Sequence, residues 1–258
     1  MSASLMTSPF TILTGASRGM GLGIARGLID AGHTLLTLQR SPNPELDARA
    51  AEQGLPIEQW AVDLTEPLAV AERLRSHLTQ QREALGARPL NLINNAALLA
   101  APGALRDADL ADLSRATRAS LEAPLLLTAA FLAATTGAKG VRRVLNISSG
   151  LGRFAMAGAA SYCAAKSGVD HFSRAVALEE AEQQTGAHIV SLAPGVIDTD
   201  MQVQLRSAPD DRFSNRARFE QMKTSGGLDS IDGAAAKVIA WLHRQDFGRE
   251  PTADVRQP

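Results

Sequence analysis

Tyr162 is the only tyrosine in the chain, and it stands four residues before Lys166, one of only four lysines in a protein otherwise rich in arginine. Positions i and i+4 share a helix face, so the phenol and the ammonium can address one pocket. A phenol titrates near about 10. A fixed positive charge favours its ionised form and lowers that value, which makes Tyr162 a general acid or base for neutral pH. An isolated Tyr-x-x-x-Lys pair also describes a half-buried aromatic beside a solvated lysine. The weight of this pair therefore rests on what the rest of the chain places around it.

Immediately upstream, Leu145-Asn-Ile-Ser-Ser149 and a glycine-rich link bring two hydroxyls towards the same helix. Near the start, the apolar run Phe10 to Thr14 enters Gly15-Ala-Ser-Arg-Gly19-Met-Gly21, after which Leu22, Ile24, Ala25, Leu28 and Ile29 recur at helical spacing. Strand, glycine turn and helix in this order form a phosphate-binding loop. Glycines let the backbone approach a pyrophosphate, and the helix start offers free N–H groups. The second strand, His33 to Leu38, ends in Gln39-Arg40 with no acid before Glu45. An acid there would bind the ribose 2′-hydroxyl of NAD, whereas an arginine suits the 2′-phosphate of NADP. Arg18 and Arg40 thus make two jaws of a phosphate clamp, and NADP(H) is the expected cofactor.

Ile57 to Val62 is a third strand ended by Asp63-Leu-Thr. A helix over about 66–85 follows, then a fourth strand, Leu90 to Asn94, running into Asn95-Ala-Ala. A long helix over about 107–135 leads to a fifth strand, Val141 to Ile147. The helix after Ser161 runs to about Gln184, and a sixth strand, Ala187 to Ala193, ends in Pro194-Gly-Val-Ile-Asp-Thr199. From Asp200 to Gly227 the chain reads as polar and irregular, a lid over a crevice (about 198–227). Asp232 to His243 is a final helix, followed by a short tail. Strands alternating with helices throughout specify an α/β fold, a Rossmann-type doubly wound parallel sheet flanked by helices, in a single domain. Ligands bind at the carboxyl ends of such strands, which places Asp63 and Asn95 on the functional edge.

Composition removes several other classes. A net charge of −1 leaves no electrostatic footprint for nucleic acid. No run approaches a membrane span, and residues 1 to 9 lack the pattern of a signal peptide. Cys163, the single cysteine, cannot form an internal disulfide, and a cytoplasmic location is expected. The five histidines lack ligand spacing, so no metal site is expected.

Thr14-Gly15-x-x-x-Gly19-x-Gly21, Asn94-Asn95-Ala96, Ser149 thirteen residues before Tyr162, Tyr162-x-x-x-Lys166 and Pro194-Gly195 resemble, in order and spacing, the short-chain dehydrogenase/reductase family over residues 10 to about 200. The resemblance implies roles. Tyr162 would protonate a substrate carbonyl oxygen, Ser149 would orient that oxygen, and Lys166 would lower the tyrosine pKa and hold the nicotinamide ribose. Cofactor contacts would come from Gly15, Ser17, Arg18, Gly19, Met20, Gly21 and Arg40, with Asp63 and Leu64 at the adenine and Asn95 and Ala96 at the adjoining ribose. Pro194, Gly195, Ile197 and Thr199 would complete the nicotinamide end.

Within the family, Tyr162-Cys-Ala-Ala-Lys166, Val176-Ala-Leu-Glu-Glu180 and Ala193-Pro-Gly-Val-Ile-Asp-Thr-Asp-Met-Gln202 look most like the sepiapterin reductase and benzil reductase group, which implies an NADPH-dependent reductase of vicinal diketones. Ala97 stands where the family has glycine and should crowd the turn. Ser120 replaces an asparagine associated with proton relay. The tail lacks the family's usual ending, and Asp254 is its residue to compare with the substrate-binding acid of sepiapterin reductases. Leu151, Phe154, Met201 and Leu205 are expected on the substrate wall, with Phe213 and Phe219 on the lid. Two other readings remain open at this level: an NAD-linked alcohol dehydrogenase, and an NADP-binding redox sensor without turnover. Helices 107–135 and 161–184 are apolar on more than one face, which implies a homodimer or homotetramer acting on a small-molecule carbonyl substrate.

Overall fold

A computed structural model describes residues 7–257. The signal-peptide reading of residues 1 to 9 therefore concerns positions of which 1–6 lie outside the described residues. The strands are β1 (Phe10–Thr14), β2 (Thr34–Gln39), β3 (Ile57–Ala61), β4 (Leu90–Asn94), β5 (Arg142–Ile147), β6 (His188–Ala193) and β7 (Thr252–Asp254). They form one parallel sheet in the order β3-β2-β1-β4-β5-β6-β7. The α-helices are α1 (Gly19–Asp30), α2 (Pro44–Glu52), α3 (Pro67–Gln80), α4 (Arg82–Leu85), α5 (Leu110–Thr117), α6 (Ala123–Thr135), α7 (Ala160–Ala181), α8 (Asp200–Arg206), α9 (Arg216–Thr224) and α10 (Ile231–Leu242).

Side chains alternate across a strand, so adjacent apolar residues serve opposite layers. Ile12, Leu36, Leu92 and Val144 face one core with Leu74 of α3 and Phe131 of α6. Leu13, Leu35, Ile93 and Leu145 face the other with Ile24 and Leu28 of α1 and Val238 of α10. Each fully buried aliphatic side chain contributes roughly 1.5–3 kcal/mol, which explains why the central strands are apolar on both faces. No helix among the described residues is long and apolar enough to cross a membrane.

Four local readings change. The helix expected over 66–85 is two, α3 and α4, divided at Gln81. The helix expected over 107–135 is interrupted by a π turn at Arg118–Glu122, directly before Pro124. Proline has no N–H to give the preceding turn, so the regular ladder cannot pass through unbroken. The stretch 200–227, expected to be irregular, contains α8 and α9, which pack Leu205, Phe213 and Phe219 into a small core with Met156. The tail supplies β7, which pairs Thr252, Ala253 and Asp254 with Ser191, Leu192 and Ala193. Three residues carry too little pattern to announce a strand. The edge of β6 recruits them. A further helix, α2, had no counterpart in the sequence reading; Asn43 caps it by accepting from Glu45 N at 3.0 Å.

One buried polar chain crosses the sheet. Asn91 Nδ2 donates to Thr11 Oγ1 at 3.0 Å, Thr11 Oγ1 lies 2.8 Å from His33 Nδ1, and His33 Nε2 lies 3.0 Å from His243 Nε2. His33 is 2% exposed. Burial, helped by His243, holds its pKa down to about 4. An unfolded histidine titrates near 6.5, so the unfolded chain binds the extra proton first. The neutral ring's stabilisation is complete above pH 6.5 and is lost as pH falls towards 4, up to about 3 kcal/mol from this group. Urea unfolding at pH 7 and pH 4.5 should show this loss for the wild type and a smaller one for His33→Phe, whose ring takes no proton.

Candidate functional site

The strand order reverses between β1 and β4, and the loops leaving those two carboxyl ends diverge to open a cleft of about 1460 Å³. The geometry starts at Thr14. Its Oγ1 accepts from Asn95 N and Ala96 N, both at 2.9 Å, and Asn95 Nδ2 donates back to Thr14 O at 3.0 Å and Gly15 O at 3.3 Å. Gly15 and Gly19 have φ of +72° and +56°, a region that side chains disfavour. Gly21 packs so closely that an added Cβ would lie 2.0 Å from Gly15 O. The turn thus delivers the start of α1 to the cleft with no side-chain cap and no acid in its first turn. Uncapped N–H groups at a positive dipole end fit the diphosphate of a dinucleotide.

Along the cleft towards β2 and β3 stand Ser17, Arg40, Asp63 and Leu64. Arg40 makes no hydrogen bond or ion pair among the described residues, although its charge helps hold Asp63 below its usual range. The main cause for Asp63 is the hydrogen bond from Thr65 N, at 2.9 Å. Arg18 is engaged differently from the clamp the sequence suggests: its Nη1 meets Asp200 Oδ2 at 2.7 Å across the cleft. Both partners are largely exposed, so the pair is weak and exchangeable. Asn95, expected beside a ribose, lines the cleft but spends its amide on shaping the glycine turn.

At the other end β5 delivers Ser148 and Ser149, and α7 delivers Tyr162 and Lys166. The Tyr162 phenol and the Ser149 hydroxyl line the same end of the cleft, close enough for Ser149 to pull the phenol's pKa down. Lys166 Nζ donates to Ile147 O at 2.6 Å and lies 5.7 Å from the Tyr162 ring centroid. The expected lowering of the phenol does not appear. Burial pushes Tyr162 up to about 12 against the opposing pull of Ser149, with a smaller upward push from Cys163. Burial likewise pushes Lys166 down to about 8, with Asp170 acting in the other direction. Both shifts have one origin, the cost of ionising a desolvated group. The phenol therefore keeps its proton throughout the neutral range.

Met20, Ala96, Pro194, Gly195, Ile197 and Thr199 also line the cleft, as do Leu151, Phe154, Met201, Leu205 and Phe219. Phe213 does not. It is 1% exposed and stacks on Phe219 at 5.8 Å behind the wall. Ser120 faces away from solvent, giving its hydroxyl to Leu98 O at 3.0 Å and accepting from Leu98 N at 2.9 Å. Its side chain pins the π turn to the loop that leaves β4. Ala97 is accommodated without strain, because no non-glycine residue among those described has a positive φ. Asp254 is 5% exposed and committed to Arg256, at 2.6 Å, outside the cleft lining. The sequence reading missed Leu99, Met156, Gln202, Arg218, Met222 and Arg256 on the cleft wall. Only the i, i+1 and i+4 spacing of Met201, Gln202 and Leu205 on one short helix hinted at part of that set.

The model of the short chain dehydrogenase family matches residues 10–210. A benzil reductase ((S)-benzoin forming) of Bacillus cereus is 32% identical over 238 residues, covering 92% of this chain and 95% of that protein. The sepiapterin reductase of Mus musculus is 31% identical over 246 residues, covering 92% of each chain. The crystal structure of a short-chain dehydrogenase/reductase from Burkholderia vietnamiensis shares 32% identity and superposes with a TM-score of 0.66, covering 98% of this chain and 99% of that one. These likenesses agree with the seven-stranded parallel sheet. The chain belongs to the short-chain dehydrogenase family and is an oxidoreductase of C=O and CH–OH groups, a carbonyl reductase served by a nicotinamide cofactor.

Proposed function

We propose that the protein reduces one carbonyl of a vicinal diketone with NADPH, and that Tyr162 supplies the proton. The observation that carries the mechanism is the Ser149 and Tyr162 hydroxyl pair, set beside an ammonium that Ile147 O holds at 2.6 Å. A nicotinamide held in this cleft would supply a hydride to the carbonyl carbon, and negative charge would then build on the oxygen. Ser149 stabilises that oxygen by hydrogen bonding, and Tyr162 gives it a proton. A phenol at about 12 is fully protonated at working pH and still a stronger acid than the alcohol that the alkoxide becomes. Lys166 then stabilises the phenolate. With its own pKa at about 8, it performs this role below that pH and loses its charge above it.

The free Arg40 and the absence of an acid at the end of β2 support NADPH, since Gln39 there gives its Nε2 to Gln59 at 2.7 Å. The apolar wall of Leu151, Phe154, Met201, Leu205 and Phe219, together with the likeness to benzil reductases, supports a bulky diketone. Segment 198–227 serves as a lid over this end. Its two ends meet where Asp198 N donates to Asp229 O at 3.0 Å and Asp229 N donates to Val196 O at 2.8 Å. The Arg18 to Asp200 pair favours the second reading, an NAD-linked alcohol dehydrogenase, because it occupies one jaw of the phosphate clamp. Leu125 on α6 and Leu178 on α7, 43% and 72% exposed, support burial against another copy of the chain in a dimer or tetramer.

Initial rates with benzil and simple ketones should favour NADPH and the diketone. Tyr162→Phe should lower kcat by about 10²-fold or more while leaving NADPH affinity intact, and the wild-type reduction rate should decline above pH 8. Fluorescence titration of Arg40→Ala should show a weakening of NADPH binding of about 10-fold or more with NADH unaffected; equal affinity for both cofactors, insensitive to this change, would establish the NAD-linked reading instead. Gly21→Ala should abolish binding of either cofactor in the same titration, because the turn cannot admit a Cβ.

A further inference from the structure

Tyr162, Lys166 and Asp170 follow one another at intervals of four on α7, so they share one face of that helix. Lys166 is 3% exposed and Asp170 2%. Lys166 Nζ gives its one hydrogen bond among the described residues to Ile147 O, so the ammonium and the carboxylate do not touch. They act on each other through a dry interior, where opposite charges a helical turn apart are felt far more strongly than in water.

Asp170 is fixed by three elements around it. Ser191 Oγ of β6 donates to its Oδ1 at 2.6 Å, Arg153 Nε lies 3.5 Å from its Oδ2, and an added Cβ on Gly152 would sit 2.8 Å from that same Oδ2. Oδ2 accepts no hydrogen bond among the described residues. A buried carboxylate with one oxygen left open calls for an explanation. Arg153 is anchored in turn: its Nη2 donates to Ala253 O at 2.7 Å and its Nη1 lies 3.8 Å from Asp254, which Arg256 holds at 2.6 Å. Signs thus alternate from Arg256 on the cleft wall, through Asp254, Arg153 and Asp170, to Lys166. Other charges on the elements packed around α7 are engaged elsewhere or stand in water. Asp112 and Arg115 of α5 pair with each other, Arg118 of the π turn pairs with Glu66, Glu122 there is exposed, α6 carries no charge, and His188 opens β6 at the far edge of the sheet. On α7 itself, His171 and Arg174 bond each other at the surface.

We propose that Asp170 is a positioning residue for the proton chemistry of the site: one turn from Lys166, its carboxylate keeps the ammonium charged beside Tyr162 through the neutral range. Burial drives Lys166 towards the neutral amine, and Asp170 opposes it. Without that carboxylate the ammonium releases its proton at lower pH, and the phenolate left after proton transfer loses its cation. The consequence for turnover rests on the role of Lys166 proposed above; the hold on its charge does not.

The chain has four lysines, so NMR of the full chain labelled with carbon-13 at lysine Cε, with Lys166→Met identifying the resonance, reads the titration of Lys166 directly. Before cofactor is added, the wild-type midpoint should lie at about 8. In Asp170→Asn, which keeps the shape and an acceptor for Ser191, it should fall by about one pH unit or more, and the alkaline limb of NADPH-dependent reduction should move down with it. Asp170→Glu restores the charge and should return both towards the wild type. Asp170→Ser, smaller and equally neutral, serves if the asparagine variant does not fold. A midpoint that stays at the wild-type value in the neutral variant overturns the proposal, even if melting temperature or kcat drops, because a purely structural role moves those and not the midpoint. A midpoint that falls while the alkaline limb stays in place upholds the hold of Asp170 on Lys166 and overturns instead the reading of Lys166 as the partner of the phenolate.

Discussion

Thr14 and Asn95 are 81 positions apart, and four hydrogen bonds between their neighbourhoods hold the carboxyl ends of β1 and β4 together. At those ends the strand ladders stop, and the backbone groups left over must find other partners. The threonine hydroxyl takes two N–H groups, and the asparagine amide takes two carbonyls, one of them that of Gly15. With the Gly15 carbonyl fixed, Gly21 can pack against it and α1 can begin with its N–H groups open to the crevice. The dinucleotide cradle, the divergence of the loops and the line of the cleft all depend on this one tie across the reversal of winding.

Burial does the second half of the work. The two α7 residues are desolvated together, and each is pushed towards its neutral form. The tyrosine is thereby kept as a proton donor. The lysine is kept usable as a cation by the Ile147 carbonyl and by Asp170, whose carboxylate is itself held by Ser191 at 2.6 Å.

The segment that carries α8 and α9 has its own small core, ends tied at Ile197 and Asp229, and ion pairs from Asp198 to Lys223 and Arg206. It touches the glycine turn through the exposed pair of Arg18 and Asp200. A unit with few buried contacts to the main sheet opens at lower cost than the core, which suits a wall that must admit and release ligands.

The alternation of apolar strands and helices, the positive-φ glycines of the turn and the offsets linking Ser149, Tyr162 and Lys166 were legible along the chain, because each follows from local spacing and backbone sterics. Those patterns determined the layered fold, the edge of the sheet that holds the site, and the identity of the polar groups gathered there. They did not determine how each group is spent. Asn95 turned out to shape the loop, Ser120 to pin a π turn, Arg18 to reach the lid, Thr252–Asp254 to become a strand, and Gln202 to stand unpaired in the wall. Each of those outcomes depends on which distant partner arrives within 3 Å and how much water it displaces, and only the tertiary structure decides that.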